Sequence, residues 1–344
     1  MKKRILIILS IIFVLAGLMN CFWFLFYNMG TDDPWLITMI YVLSPYHFSY
    51  VFEDYRLNWG SASYSFNLLT LYLYLSFLAG ALTYALSKGR ELRLIKFNYS
   101  LILLSFLINS PFIIARLFIP DENNPSLTAK DSNLTIYLLY MLRALLLFIV
   151  AYKALAFFKK EATLELSVEE DGSGRQEEYL LQATKSQRLV NHLVDHILIA
   201  IYMITTLKAA INFPLFYNFL KDMEQSLGKE LALILIFLTA KFLYFFIFEA
   251  LCAASPGKML SQTRVSDKSG NKAGVISILK RTLCRLIPFE PFTFLTGSNL
   301  HDERSDTYVI REQQKGVASS VYLWIMLPAF LLIIVLTAIS NYLN

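Results

Sequence analysis

The chain has 344 residues, of which 56% are hydrophobic and only 17% are charged, and its mean hydropathy is +0.51. Since about a quarter of the residues in a soluble domain are charged, this composition excludes an ordinary soluble protein. The formal net charge is +5, and it arises mainly from loops between apolar stretches. We therefore expect an integral membrane protein that does not bind nucleic acid.

Seven apolar stretches are long enough to cross a membrane as helices. They comprise residues 5–28, 66–86, 97–119, 133–157, 189–211, 230–252 and 320–342. Because each span must satisfy its backbone hydrogen bonds within itself, a helical bundle is favoured over an open sheet. The predicted fold class is an all-α integral membrane protein, a polytopic bundle of about seven transmembrane helices.

The basic residues of the loops indicate the orientation, because cytoplasmic loops carry an excess of Lys and Arg. Lys2, Lys3 and Arg4 place the N-terminus inside, and every second loop after it is basic. The N-terminal stretch lacks a small-x-small cleavage site, so we expect an uncleaved first span. We predict a multi-pass protein of a bacterial-type cytoplasmic (cell) membrane, with a cytoplasmic N-terminus.

The chain divides into two membrane regions joined by a hydrophilic stretch. The predicted divisions are a four-span N-terminal region (1–158), a cytosolic linker (159–186), a second membrane module with two spans and a basic cytosolic loop (187–316), and a last transmembrane helix (317–344). Residues 163–168 alternate and precede a glycine-bearing turn, which favours a small cytosolic β-hairpin.

The basic loop contains a predicted cytosolic amphipathic segment at residues 275–296. Lys280, Arg281 and Arg285 stand there among Ile, Leu and Phe, a pattern typical of a helix lying on the inner membrane surface.

Arg188 and Asp195 share one face of the fifth predicted span. They are seven residues apart, and seven steps of 100° return to within about 20° of the starting direction. Charges inside a span are costly and are usually kept for a purpose. A carboxyl there can hold a proton or bind a cation as a carboxylate. It can equally form a buried ion pair that fixes helix packing.

Other charges inside the predicted spans offer partners for Asp195. Arg143 and Lys241 lie near the middle of the fourth and sixth spans, and Glu249 lies nearer the cytosolic end of the sixth. We predict a charge-balanced network of these supporting residues with Asp195.

His192 and His196 have the spacing of metal ligands, but no further ligand can be named. We expect hydrogen bonds at a helix interface instead, with no metal and no cofactor.

The turn Ser255-Pro256-Gly257-Lys258 follows the sixth span directly. Proline ends the helix, glycine permits the turn and lysine anchors near the headgroups, which explains the motif without a ligand. Binding of an anion or a lipid headgroup is the alternative.

The second half of the chain resembles the RDD family of membrane proteins, named for one arginine and two aspartates. The matching segments, in order, are Arg188-Leu-Val-Asn-His-Leu-Val-Asp195, Ser255-Pro256-Gly257-Lys258-Met259-Leu260, Arg264-Val265, Asp267-Lys-Ser-Gly270, Leu279-Lys-Arg281, Arg285-Leu-Ile-Pro288, His301-Asp302 and Thr307-Tyr-Val309. The resemblance covers about residues 185–312. We assign Asp302 as the second family aspartate, with Asp306 as the alternative. The family usually has a glycine where this chain has Ser261 and Gln262.

Two functions follow from the residues and the resemblance. The resemblance implies a membrane module for which transport is the usual suggestion and cation/proton antiport is proposed for some members. We predict a transporter or cation/proton exchanger that uses the triad Arg188, Asp195 and Asp302, with monovalent cations, protons and the lipid bilayer as partners. The alternative is a non-transporting scaffold or assembly factor in which these residues are structural. We find no GxSxG, HExxH or Walker-type motif, so we do not expect an enzyme.

Overall fold

Long apolar helices make up most of the fold. The computed structural model describes residues 3–21, 39–40, 42–46, 55–59, 62–66, 68–118, 130–162, 164–170, 176–211, 214–287 and 300–312. Within these ranges, six segments are helical, long and apolar enough to cross a membrane: Lys3–Cys21, Leu69–Leu86, Arg93–Pro111, Leu138–Glu161, Lys185–Leu207 and Lys229–Cys252. The all-α polytopic fold class is confirmed. The predicted span at 320–342, and with it the division 317–344, lies outside the described residues.

The N-terminal half contains the first four of these spans. Its elements are α1 (Lys3–Cys21), β1 (Tyr55–Trp59), β2 (Ala62–Phe66), α2 (Leu68–Leu86), α3 (Arg93–Phe118) and α4 (Lys130–Glu161). Strands β1 and β2 pair antiparallel, with Tyr55 opposite Phe66. The sequence did not predict this hairpin, since aromatic residues crowd the loop without clear alternation.

The second half contains the remaining two described spans and several short elements. They are α5 (Lys185–Ile211), α6 (Pro214–Leu227), α7 (Lys229–Cys252), α8 (Pro256–Leu260), β5 (Thr263–Ser266), α9 (Val275–Cys284), α10 (Leu300–Ser305) and β6 (Tyr308–Arg311). Helix α8 packs against both α3 and α5, so it connects the two halves. Strands β5 and β6 pair antiparallel, with Val265 opposite Val309.

The predicted hairpin in the linker is present. Strands β3 (Leu166–Glu170) and β4 (Gln176–Leu180) pair antiparallel. Both ends of this hairpin are hydrogen-bonded to β6, because the Glu165 N–H donates to the Arg311 carbonyl (3.2 Å) and the Arg311 N–H donates to the Leu181 carbonyl (2.9 Å). The linker is thus attached to the second half through backbone hydrogen bonds.

The core of the N-terminal half is aromatic and contains neutral hydrogen bonds. The rings of Tyr46 and Tyr74 lie 5.1 Å apart between centroids. The Tyr46 hydroxyl donates to the Asn98 side-chain oxygen (3.0 Å), which also accepts from the Ser76 hydroxyl (2.9 Å). We call Tyr46, Ser76 and Asn98 the Asn98 network. All three residues are buried, so their polar atoms are satisfied within the protein and carry no charge.

Helix α9 is amphipathic, as predicted, but it faces the opposite way. Arg281 is fully buried and Arg285 is 7% exposed, whereas Val275 and Ile276 are 59% and 72% exposed. The prediction that the basic residues lie on the membrane surface is therefore wrong for Arg281 and Arg285. Arg281 and Arg285 point inward because they bind buried carboxylates on α7 and α10. The apolar side chains of α9 are exposed instead. The residues after 287 in the predicted segment lie outside the described ranges.

Candidate functional site

Helix α5 presents a buried polar face to α7 and α8. Asn191 is 5% exposed and Asp195 is 1% exposed, one turn apart on this face. The Asn191 amide nitrogen donates to the Thr263 hydroxyl (3.0 Å), and its oxygen accepts from the Ser261 hydroxyl. The face that sequence spacing identified on this span is therefore the one that contacts the rest of the second half.

The Asp195 carboxylate accepts three hydrogen bonds. Its Oδ1 accepts from the Tyr244 hydroxyl and from the Gly257 N–H, both at 2.8 Å, and its Oδ2 accepts from the Ser255 hydroxyl at 2.5 Å. A Cβ at Gly257 would lie 2.7 Å from the Asn191 carbonyl oxygen and 2.9 Å from Asp195 Oδ1. Glycine is therefore required here for close approach to α5, and the prediction that it permits a turn is wrong because Gly257 lies within α8.

Lys258 does not anchor at the headgroups, and that prediction is wrong. Its side chain is buried, and its Nζ donates to Glu249 Oε1 (2.8 Å) and to the Ser255 hydroxyl (3.2 Å). Burial lowers the pKa of Lys258, while the Glu249 carboxylate acts in the opposite direction. The turn thus directs its lysine inward, onto the carboxylate at the end of α7.

Glu249 is surrounded by basic side chains. Its Oε1 accepts from Lys258 Nζ and from Arg285 Nη1, both at 2.8 Å, and its Oε2 lies 3.2 Å from Arg281 Nε. Glu249 has no solvent exposure. One carboxylate therefore faces two arginines and a lysine inside the protein.

Asp302 joins the family arginine to α9. Arg188 Nη1 donates to Asp302 Oδ2 at 2.8 Å, and Arg281 Nη1 donates to Asp302 Oδ1 and to the Thr307 hydroxyl. Burial by itself would raise the pKa of Asp302, but Arg281 and Arg188 hold that pKa below its usual range. The carboxylate is thus kept ionised between two guanidinium groups.

Asp306 is placed quite differently from Asp302. Its side chain is 77% exposed and lies 3.5 Å from Lys268, itself 71% exposed. Of the two candidates for the second family aspartate, Asp302 is the one that lies with Arg188 in the site. Asp195 and Asp302 have separate partners, so the structure does not form a single three-residue cluster.

The predicted network of intramembrane charges is correct only in part. Arg143 donates to the backbone carbonyls of Val42 (3.1 Å) and Ser44 (2.6 Å), in the N-terminal half, and it is not a partner of Asp195 or Glu249. The prediction is wrong for Arg143 because the backbone carbonyls of Val42 and Ser44 supply acceptors instead. Lys241 donates to the Arg285 carbonyl (2.6 Å) and so joins the cluster indirectly.

Side chains of α5, α7 and the segments that follow α7 line a cavity of about 60 Å³. Its charged lining consists of Arg188, Asp195, Lys241, Lys258, Arg281 and Arg285. His192, His196 and His301 also line it. Burial, together with the nearby arginines and lysine, holds the pKa of His301 well below its usual value, so this imidazole is neutral at pH 7. The cavity is strongly basic.

The rings of the two histidines of α5 are in contact, with centroids 3.9 Å apart and planes tilted by 49°. His196 Nδ1 lies 2.8 Å from the His192 carbonyl oxygen, so this ring nitrogen is engaged with the backbone. In the described part of the chain, no group of three or more His, Cys, Asp or Glu side chains is placed to hold a metal ion.

At Gln262, where the family usually has a glycine, the backbone adopts a conformation typical of glycine. Gln262 has φ of +54°, in the left-handed region that glycine enters most readily. Its carbonyl accepts the Glu312 N–H at 2.8 Å, next to the end of β6. The turn that leads from α8 into β5 is thus formed without the glycine.

Sequence reasoning missed Arg281, Arg285 and Tyr244 as site residues. The first two stand in segments that carry the family resemblance, but their periodicity on α9 indicated a surface helix. Tyr244 lies one turn before Phe248 on α7 and has no signal beyond its presence in an apolar span. Only the fold shows that its hydroxyl reaches Asp195.

The described part of the chain contains six apolar helices long enough to cross a membrane, and two of them line a cavity with ionised side chains. The protein is therefore a multi-pass membrane protein. The RDD family model matches residues 183–343, so this region of the chain is similar to the RDD family, as the resemblance predicted. The match extends past residue 312 and includes the seventh predicted span. No curated protein and no solved structure matches the chain.

Proposed function

We propose that the protein transports a small ion or polar solute, and that the basic cavity of the RDD region is the binding site. The observation that carries this proposal is the cavity itself, which is lined by ionised groups of α5 and α7, two spanning helices. Ionisable residues within spans are costly and commonly mark the path of an ion or a substrate. The cavity exceeds by several times the about 10–15 Å³ that one water requires.

Cation/proton exchange through Asp195 is the finer form of this proposal. To take a proton or a monovalent cation, the carboxylate gives up one or more of its bonds to Tyr244, Ser255 and Gly257. Two of these donors, Ser255 and Gly257, lie at the start of α8, which packs against α3. Exchange at Asp195 would therefore loosen the contact between α8 and α3, which joins the two halves. Binding of a proton or cation to Asp195 would in this way be coupled to a movement of the two halves.

Flux measurements on reconstituted protein test the transport proposal. The purified protein is placed in liposomes that contain a pH-sensitive dye, and Na⁺, K⁺ and Li⁺ gradients are applied to wild type and Asp195→Asn. We expect cation-dependent proton movement in wild type and its loss in the variant. Asp306→Asn is the matched control, because it makes the same change on an exposed side chain, and it should retain the flux of wild type.

The outcomes separate transport from its finer form. Absence of proton movement in folded wild type, under every gradient, rejects cation/proton exchange. Movement that persists in folded Asp195→Asn keeps transport but removes Asp195 as the exchanging group.

A structural role is the second candidate function, and the satisfied Asp195 carboxylate favours it. All three of its donors come from the protein, and buried ionic groups can specify a packing arrangement without taking part in chemistry. A non-transporting scaffold or assembly factor predicts that Asp195→Asn loses folding or a complex, with no flux in wild type to lose.

We further propose the cell membrane as the location, with the N-terminus in the cytoplasm. This rests on the Lys and Arg residues of the loops. The basic cavity then opens at the cytoplasmic side, and we propose no enzymatic activity for it.

A further inference from the structure

The segment between β5 and β6 leaves the fold and returns to it at one place. The two strands pair antiparallel, with Val265 opposite Val309, and paired strands lie only about 5 Å apart. Strand β6 is hydrogen-bonded in turn to the hydrophilic linker hairpin through Arg311, which places both strands outside the bilayer. Any part of residues 267–307 that enters the membrane therefore leaves it on the same side.

Helix α9 lies in this segment and packs against the spanning helix α7. Arg281 Nε lies 3.2 Å from Glu249 Oε2. One turn further along the segment, the Arg285 guanidinium lies 4.4 Å from the centroid of the Phe245 ring. The Arg285 carbonyl accepts a hydrogen bond from Lys241 Nζ at 2.6 Å. Later residues of the segment thus contact earlier residues of α7, so the two helices run in opposite directions.

These contacts give the depth of α9 in the membrane, measured from Cys252 at the end of α7. Glu249, Phe245 and Lys241 precede that residue by three, seven and eleven positions. With a rise of about 1.5 Å per residue, they lie about 4, 10 and 16 Å inside the end of the span. Since half of the hydrocarbon core is about 15 Å thick, the segment descends from the membrane boundary towards its middle.

The outward-facing side chains of α9 fit this depth. Leu283 and Ile287, which are 50% and 49% exposed, are the exposed side chains of residues 281–287, and both are apolar. Lys280 is exposed nearer the start of the helix. Side chains of a helix lean towards its N-terminus, so the Lys280 ammonium extends towards the headgroups, where long basic side chains place their charge.

We propose that α9 is a re-entrant helix whose apolar face contacts the acyl chains of the leaflet at the Cys252 end of α7. Its other face carries Arg281 and Arg285, which line the cavity, so the helix separates the cavity from the lipid. Irregular backbone at membrane depth is tolerated where the protein satisfies its polar groups, as Lys241 does for the Arg285 carbonyl. The inference requires α7 to span the membrane, and it does not depend on transport.

Spin labels attached to single cysteines measure the depth of α9 in liposomes. The background is the full-length protein with Cys21, Cys252 and Cys284 replaced by alanine, and labels are placed at Ile276→Cys and Leu283→Cys. Collisions of each label with oxygen, which dissolves in the acyl chains, are compared with its collisions with a water-soluble nickel chelate. We expect the Leu283 label to favour oxygen and to lie deeper than the Ile276 label by up to about 10 Å, the rise of seven helical residues.

Matched labels on α7 and before α9 calibrate the depth scale. Leu251 and Leu243 are 36% and 37% exposed on α7, near its end and near its middle, and the Leu283 label should lie between the labels placed there. Lys272→Cys is the aqueous control, because Lys272 is exposed just before α9. Its label should collide readily with the nickel chelate.

Three results overturn the proposal. A nickel chelate that reaches the Leu283 label as readily as the Lys272 label places α9 in water. Equal depths at Ile276 and Leu283 describe a helix lying flat on the membrane surface. A Leu283 label that neither reagent reaches is covered by protein, either by residues 320–342 or by a second copy of the chain.

Wild type provides the test where the cysteine-free protein does not fold, as checked by size exclusion and circular dichroism. A carbene precursor dissolved in the acyl chains of the liposomes is activated by light, and mass spectrometry locates the adducts. We expect adducts on Leu283 and on Leu243 and none on Lys272. Adducts on Leu243 without any on Leu283 also overturn the proposal.

Discussion

Two buried polar networks, one in each half of the protein, are stabilised in opposite ways. In the N-terminal half, the Asn98 network is neutral, and its hydroxyl and amide groups bind one another and the backbone. In the second half, Glu249 and Asp302 are each bound by two or more basic side chains. The neutral network is complete in itself. The ionic cluster adjoins the cavity, because Lys258, Arg281 and Arg285 also line it.

The two networks also differ in the free energy of unfolding that is lost when one partner is removed. A neutral buried hydrogen bond contributes about 0.5–1.5 kcal/mol net. Removing one partner of a buried ion pair costs about 3–5 kcal/mol, because the remaining charge is uncompensated. The second half should therefore be far more sensitive to single substitutions at polar positions than the Asn98 network is.

Glu249→Gln should give the largest effect. The substitution keeps the size of the side chain but leaves Lys258, Arg281 and Arg285 without their shared carboxylate. We expect the free energy of unfolding to fall by about 3–5 kcal/mol, measured by titration with sodium dodecyl sulfate from mixed micelles.

Glu303→Gln is the matched control for that substitution. Glu303 is exposed on α10, so the same chemical change should leave the stability of the protein unaltered. Equal losses in the two variants would contradict the view that Glu249 holds the ionic cluster together.

Gly257→Ala should give the next largest effect. The added methyl group would meet the Asn191 carbonyl oxygen at 2.7 Å and Asp195 Oδ1 at 2.9 Å, and the Asn191 carbonyl belongs to the backbone of α5, so it cannot move without displacing that helix. We expect a loss of about 1–3 kcal/mol in the free energy of unfolding, by the same titration. A methyl group at Gly274 meets nothing within 4 Å, and that residue has φ of −65°. Gly274→Ala should therefore stay within about 1 kcal/mol of wild type; similar losses in both would show that the close approach at Gly257 does not matter.

The sequence predicted the six described spans, the linker hairpin and the polar face of α5 because each depends on local periodicity. Arg188 and Asp195 are seven residues apart on one helix, so their common face follows from helix geometry. The family resemblance then added Asp302, whose approach to Arg188 spans 114 positions. No local pattern could have predicted that contact.

The partners of the basic residues could not be predicted from periodicity. Arg281 lies on an amphipathic helix whose apolar side is exposed, so the usual rule assigns it to the surface. In a membrane protein the apolar side can face lipid, and the basic side can face an ionic interior. Arg143 is a different case, because this cation in a span donates to backbone carbonyls.

The free energy of unfolding should depend on pH through His301, which lies in the second half. Burial and the neighbouring basic residues hold the pKa of His301 well below its usual value. An unfolded chain takes up this proton below about pH 6.5, so the unfolded state binds more protons and the free energy of unfolding falls as the pH falls. We expect a slope of up to about 1.4 kcal/mol per pH unit below that point, measured from pH 7.5 to 5.5.

His301→Gln isolates this contribution, since it removes the titrating group and leaves the other histidines in place. The variant should lose less stability than wild type over the same pH range. Identical slopes in the two proteins would mean that His301 is protonated as readily when the protein is folded as when it is unfolded.

Tyr46→Phe should give the smallest effect, and its comparison with Tyr244→Phe sharpens the contrast between the halves. Both substitutions remove one buried hydroxyl, but Tyr46 donates to the neutral Asn98 whereas Tyr244 donates to the Asp195 carboxylate. We expect about 1 kcal/mol for Tyr46→Phe, because Asn98 still accepts from Ser76. We expect about 1.5–3 kcal/mol for Tyr244→Phe, because its acceptor is charged. Equal losses in the detergent titration would contradict the contrast between the neutral network and the bonds to Asp195.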